Sequence, residues 1–309
     1  LVAPLLLAFF SPSVFAVDLS FVGDGIKIFN GNVHQNVMDV SFPTPHKRGL
    51  VFERSYNSLG EQKLGPLGYG WTHTFRLSLN PDYLSQTNFK RYLKIVDETG
   101  SGLYFTRIND GFYQGAFKEP TSVKIENGHY VWHRFDGSRY IFNKECLLIQ
   151  IDDNVGNRQH ISYDENTRVS SIEDTATSFV LNFLYDGKGR LRYLSGQWPP
   201  GGSEILWAVY DYDDNQNLIS AKYPDGTGFR YSYTNPKDAH KMTEKRDISG
   251  KFLSSWVYDE EGRAYRNKTH RGEDMTIEYV NRRKVKVTDS LGITRSYRIA
   301  IHAGCRLVL

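Results

Sequence analysis

The run Tyr185-Asp186-Gly187-Lys188-Gly189-Arg190-Leu191 is the clearest structural signal in the chain. Upstream of it, Phe179, Leu181, Phe183 and Tyr185 alternate with other residues, and a period of two puts them on one face of a strand. Asp186 can bond its local backbone and Gly189 accepts a positive φ, so Asp-x-x-Gly reads as a turn. Arg190 to Leu194 then returns as a second strand, and the unit is a β-hairpin. It recurs. Tyr163-Asp164 precedes it, Tyr212-Asp213 and Tyr258-Asp259 follow, and Gly262-Arg263 repeats the Gly189-Arg190 pair. Degenerate copies lie at Tyr233 and Tyr279, and the steps between successive tyrosines are 22, 27, 21, 25 and 21 residues. A period in that range marks an architecture whose units bury their faces against neighbours. The sequence therefore predicts an all-β chain of successive hairpins forming a long, curled sheet.

The first half points the same way without the period. Asn127-Gly128 separates Val123-Lys124-Ile125 from Tyr130-Val131-Trp132, and Asp136-Gly137 separates that segment from Tyr140-Ile141-Phe142. Both dipeptides predict tight primed turns. Phe42-Pro43-Thr44-Pro45 and the glycine-rich run Gly65 to Gly70 read as loops. The chain has 309 residues, with 20 Tyr, 18 Phe and 27 Gly, and this aromatic load excludes a disordered chain. Its 38 Lys and Arg against 35 Asp and Glu leave a net charge of +3, which calls for no polyanionic partner. Cys146 and Cys305 can form at most one bridge. Leu1 to Phe10 is an apolar run too short to span a bilayer, and Val14 and Ala16 fit a signal-peptidase site. Residues 1–16 are thus expected to be the remnant of an export signal, with no stable membrane span.

The repeated motifs resemble the YD repeats of bacterial Rhs proteins. Gly31-Asn32-Val33, Asp39-Val40-Ser41-Phe42-Pro43 and Phe52-Glu53-Arg54-Ser55-Tyr56-Asn57-Ser58 resemble the opening of the Rhs-associated N-terminal domain. Leu64-Gly65-Pro66-Leu67-Gly68-Tyr69-Gly70-Trp71-Thr72-His73 resembles that domain's Gly-Trp signature. The segment from Phe142 to Asn157 resembles the family's entry into the repeats, with Cys146 where Gly is usual. The resemblance implies an N-terminal β domain over 17–150 and a hairpin array over 151–309. It also implies a hollow β-shell that encloses a toxic C-terminal segment. Neither the self-cleavage segment nor a cargo follows here, so the resemblance implies a truncated shell: an arc with an open sheet edge at its C-terminal end.

Other chemistries have weaker claims. Asp211, Asp213, Asn215 and Asn217 alternate like calcium ligands, but Gln216 stands where Gly is needed and Lys222 where a bidentate Glu is needed. His73 has no nucleophile motif or metal-binding partner, and reads as a structural histidine. Gly65, Gly68 and Gly70 lack the Lys-Ser/Thr of a phosphate loop. The cluster Arg282-Arg283-Lys284 with Lys286 reads as the solvated face of a strand rather than a nucleic-acid site. A glycosidase pair of carboxylates cannot be picked out, because turns already explain Asp164, Asp186, Asp213 and Asp259.

The sequence leads to an exported structural or encapsulating protein with no catalytic residue, metal or cofactor. Tyr163, Tyr185, Tyr212, Tyr258 and their aspartates carry the repeat. Arg54, Tyr56, Asn57, Gly65, Gly70 and Trp71 mark the N-terminal domain. The partner expected at the open edge is the missing shell and toxin segment or another envelope protein. An extracellular module that binds glycans or proteins through exposed aromatic faces is the second reading.

Overall fold

The computed structural model describes residues 21–42, 49–60, 64–84, 91–115, 121–199, 201–302 and 305–308. The export signal expected over 1–16, the prolines at 43 and 45, and the side chain of Cys305 lie outside what is described. Among the described residues every regular element is a strand, and the all-β class follows directly.

One antiparallel ladder runs in chain order from Ser78–Leu84 to Cys305–Val308. The recurring units are hairpins within it: Phe179–Tyr185 pairs with Leu191–Gln197, and Phe252–Tyr258 with Ala264–Thr269. At each motif the register slips by one residue beside the tyrosine, as at Leu184/Tyr185 and Val257/Tyr258. That slip is the bulge that accompanies a type I turn closed by a left-handed residue. Pairing passes without a break from Arg139–Phe142 to Leu148–Asp152 to Arg158–Tyr163, so the ladder is continuous through residues 150 and 151.

The expected arc with an open C-terminal edge is not what forms. Cys305–Val308 lies between Thr294–His302 and Ser78–Leu84 in the strand order, and the ladder closes into a barrel. A sheet built of hairpins twists and curls in one sense, and closure is what removes unpaired edge groups.

The barrel is not hollow where it is described. Strands His34–Phe42, Leu50–Asn57 and Trp71–His73 form a separate three-stranded sheet. Its side chains pack on the inward residues of the ladder. Phe42 lies 3.9 Å from Phe179 between ring centroids, Phe52 5.5 Å from Phe183, and Trp71 5.0 Å from Tyr231. Ile26, Leu50, Phe52, Tyr56 and Trp71 share one apolar core with Leu181, Leu194, Tyr210 and Ala264.

The turn at Asn127-Gly128 has positive φ at both residues (50° and 78°), which is the primed form. Asp136-Gly137 differs, because only Gly137 is left-handed (φ 83°). There Gly137 N donates to Arg134 O, so the turn is an ordinary one beginning at Arg134 with the glycine closing it.

Candidate functional site

Each repeated tyrosine does the same thing. Tyr185 Oη donates to Val169 O at 2.7 Å, Tyr163 Oη to Leu148 O at 2.8 Å, Tyr212 Oη to Leu191 O at 2.6 Å, and Tyr258 Oη to Met242 O at 2.7 Å. The degenerate copies follow, with Tyr233 Oη to Leu218 O at 2.9 Å and Tyr279 Oη to Ala264 O at 2.6 Å. The ring fills the strand face while the hydroxyl reaches back to the preceding unit. Burial pushes the Tyr185 and Tyr163 hydroxyls well above the usual tyrosine range.

The aspartates hold the turns. Asp186 Oδ1 accepts from the backbone N of Lys188 and of Arg190, both at 2.9 Å, and Asp259 Oδ1 accepts from those of Glu261 and Arg263. The second carboxylate oxygen takes the arginine: Arg190 Nε to Asp186 Oδ2 at 2.8 Å, Arg168 Nε to Asp164 Oδ2 at 2.8 Å, Arg263 Nε to Asp259 Oδ2 at 2.7 Å. In the copy at Tyr212, Asn217 Nδ2 takes that role on Asp213 Oδ2 at 2.9 Å. Burial acts to raise the Asp186 pKa, and the hydrogen bonds from Arg190 outweigh it, so the carboxyl sits below its usual value. The left-handed position is Gly189 (φ 77°) in one copy and Gly262 (φ 74°) in another, but Thr167 and Gln216 in the remaining two.

The guanidinium then reaches forward. Arg168 lies over Tyr185 at 4.5 Å, Arg190 over Tyr212 at 4.7 Å, and Arg263 over Tyr279 at 4.5 Å. Each motif is tied backward through its tyrosine, and the three that carry an arginine are tied forward through it. The turn role of Asp and Gly is legible within one repeat, whereas the contacts of Tyr and Arg join different units and are signalled only by the recurrence of the arginine.

The N-terminal residues meet at a second centre. Arg54 and Asp39 are paired with no side-chain exposure on either, and Arg54 Nη2 donates to Asp39 Oδ1 at 3.0 Å. Tyr210 Oη and Tyr223 Oη donate to the two oxygens of Asp39, and Arg54 Nη1 donates to Tyr231 Oη at 3.3 Å. Trp71 covers the guanidinium at 4.9 Å and donates through Nε1 to Tyr233 Oη at 3.0 Å. Burial opposes the charge on Arg54, but Asp39 outweighs it and holds the pKa well above its usual value. Tyr56 Oη accepts from Met242 N at 2.9 Å and donates to His240 O at 3.2 Å. Asn57 N donates to Gly70 O at 2.8 Å. Gly70 has φ 74°, and a Cβ there would stand 2.7 Å from the Tyr56 ring. A side chain at Gly65 would meet the Arg76 guanidinium at 2.5 Å. Pro66 O, between these glycines, accepts from Leu191 N at 2.8 Å and from Tyr212 Oη at 3.1 Å. The inserted sheet is thus bonded directly to the repeat.

The remaining candidates are accounted for by local partners. His73 is buried, accepts from Phe75 N at 3.3 Å through Nδ1 and stacks on Phe52; burial drives its pKa down to about 3. Asp211 accepts from Ser220 Oγ at 2.7 Å and Lys222 Nζ at 3.0 Å, and pairs with Arg192. Val285 and Val287 are buried, Lys284 is exposed, and Lys286 Nζ donates to Glu278 at 2.9 Å; Arg282 and Arg283 lie in the preceding turn. Cys146 is half-buried at φ 63°. Among the described residues no helix is long and apolar enough to cross a membrane, and no group of three His, Cys, Asp or Glu side chains is placed to hold a metal ion.

No curated protein matches the chain. Among solved structures, the N-terminal domain of effector protein SpvB from Salmonella typhimurium strain LT2 is similar at 14% identity and a TM-score of 0.38, covering 60% of this chain and 98% of that one. TcdB2-TccC3 without its hypervariable C-terminal region is similar at 10% identity and a TM-score of 0.35. A Photorhabdus luminescens Tc holotoxin pore is similar at 10% identity and a TM-score of 0.28. These two comparisons cover 92% of this chain but only 16% and 15% of the toxin chains, so the chain spans about a sixth of their length. One family model matches, over residues 23–105: a domain of unknown function, DUF6531, whose span takes in the inserted sheet and the first strands of the ladder.

Proposed function

We propose that the chain is a structural, non-catalytic component of an exported Rhs-type toxin-delivery shell or cell-surface protein. In this reading residues 17–150 are the Rhs-associated N-terminal β domain and residues 151–309 a YD-repeat array. The observation that carries the reading is the chain of contacts from Arg168 to Tyr185, from Arg190 to Tyr212 and from Arg263 to Tyr279. Its aspartates and arginines are used in holding one hairpin to the next, which is the work of a wall. The buried Arg54–Asp39 pair supports the same role, because Tyr210, Tyr223 and Tyr231 bond to it and fasten the inserted sheet to the ladder. Cargo would then sit against further shell segments instead of inside this filled portion.

The test uses the native product in its own cells, detected with an antibody to residues 160–260. A species well above 35.5 kDa, whose remaining segments resist limited proteolysis, is the expected result. Digestion of those segments at the rate of free chain would overturn encapsulation. Hydrolytic turnover abolished by a single carboxylate or histidine substitution would overturn the non-catalytic reading.

A further inference from the structure

Side chains from three distant parts of the chain meet at one amide. Gln35 belongs to His34–Phe42 of the inserted sheet, Asp24 to the turn between Phe21–Val22 and Ile26–Lys27, and Lys245 to Glu244–Asp247 of the ladder. Lys245 Nζ donates to Gln35 Oε1 at 3.1 Å, and Gln35 Nε2 donates to Asp24 Oδ1 at 3.0 Å. The amide is gripped at both ends, by an amine on its carbonyl oxygen and a carboxylate on its nitrogen.

The surroundings hold that arrangement. Gln35 is buried, and its Nε2 also donates to Asp24 O at 3.0 Å. Gly25 (φ 78°) leaves room for the amide, since a Cβ there would stand 2.7 Å from Gln35 Nε2. Asp24 is fixed through its backbone: its N donates to Asn267 Oδ1 at 2.9 Å, and its O accepts from Trp256 Nε1 at 3.0 Å. Lys245 Nζ lies over the Phe229 ring at 4.9 Å. Burial pushes the Lys245 pKa below the usual lysine value; Arg54 acts in the same direction and Asp24 against it. A desolvated amine is neutral more of the time, and the neutral amine is the nucleophile.

A carbonyl bond is about 1.23 Å long, so Nζ stands no more than about 4.3 Å from Gln35 Cδ. Attack takes place from about 3–3.5 Å, which a small rotation of the lysine reaches. We propose that Lys245 and Gln35 form an intramolecular isopeptide bond, with Asp24 as the proton carrier. The neutral amine attacks Gln35 Cδ, and the Nζ–Cδ bond forms as the Cδ–Nε2 bond breaks. One proton leaves Nζ and is passed by the Asp24 carboxylate to Nε2, which departs as ammonia. No oxidant or cofactor enters the balance. The bond joins positions 210 residues apart and fastens a four-residue strand of the ladder to the inserted sheet. Closing so long a loop restrains the unfolded chain strongly.

Mass spectrometry of the whole folded chain, denatured only after purification, tests this. The chain is expected to weigh one ammonia less than its residues add up to, and digestion should yield a branched peptide joining Gln35 to Lys245. Lys245→Arg keeps the charge and should restore the full mass. Asp24→Asn should slow the loss of ammonia by about a hundredfold. The native chain decides by itself, so a variant that fails to fold leaves the test intact. A native chain of full mass overturns the proposal and leaves a hydrogen-bonded triad. A loss that maps to Asn127-Gly128, where cyclisation of the asparagine releases the same ammonia, overturns it too. An undiminished rate in Asp24→Asn overturns the proton transfer assigned to Asp24. None of these outcomes bears on the encapsulating role, which the native-size and proteolysis experiment tests separately.

Discussion

Arg190 stands between two motifs: its Nε donates to Asp186 in its own turn at 2.8 Å, and its Cζ lies 4.7 Å above the ring of Tyr212 in the next. The turn fixes the arginine, and the arginine then covers the tyrosine. Local geometry in one hairpin is thereby transmitted to its neighbour, although the two residues are 22 positions apart.

Replacing Arg190 by Lys keeps the charge but loses the planar fork and its stacking on the ring. The expected cost is about 1–2 kcal/mol, from a partly buried ion pair and one cation–π contact. Urea unfolding measures it. An unchanged midpoint at unchanged slope would show that the contact contributes nothing.

Tyr185 separates the contribution of the ring from that of the hydroxyl. Tyr185→Ala empties a largely buried site and should cost about 3–5 kcal/mol, as for other aromatic truncations. Tyr185→Phe keeps the ring and removes only the bond to Val169 O, so about 1–2 kcal/mol is expected. Equal losses in the two variants would mean that the ring packs against little.

The Arg54–Asp39 pair should behave as a buried pair does. Asp39→Asn leaves the guanidinium without its countercharge and should destabilise by about 3–5 kcal/mol. Because Tyr210 and Tyr223 also lose their carboxylate acceptor, trypsin should cut more readily within residues 21–75. A variant as resistant as the parent would contradict the role given to this centre.

Stability should fall on both sides of neutrality. His73 titrates at about 3 when folded and His34 at about 4, each lowered first by burial, against an ordinary value of 6.5. A depressed histidine means that the unfolded chain binds more protons between those values. The stabilising contribution is therefore full above pH 6.5 and declines as pH falls toward 4 and then 3. The buried tyrosines have raised values, so their contribution is full below about pH 10 and declines above it. Urea midpoints across the pH range report both limbs. His73→Leu should flatten the acid limb, and an unchanged limb would show that His73 is not buried neutral.

Much of the fold was legible because it is local. Alternation in Phe179 to Tyr185 and the Asp-x-x-Gly turn depend on residues only a few positions apart, and backbone sterics fix what they can do. The resemblance of Arg54, Tyr56, Asn57 and Trp71 to a family signature singled out residues that the structure places at the seam of the inserted sheet. Their partners were not legible: Tyr210, Tyr223, Tyr231 and Met242 lie more than 150 positions away. Asp39, the charge that makes a buried Arg54 tolerable, opens a stretch that resembles the same family, but no spacing in the sequence pairs it with Arg54.

The strands, the hairpin turns and their repetition follow from local sequence, since a period of two and a left-handed turn position act within single units. Tertiary structure decided that the ladder closes instead of ending in an open arc, and that its interior is filled by the chain's own early strands. Closure depends on twist accumulated over many hairpins, and filling depends on contacts between distant segments. Neither quantity is contained in any one repeat.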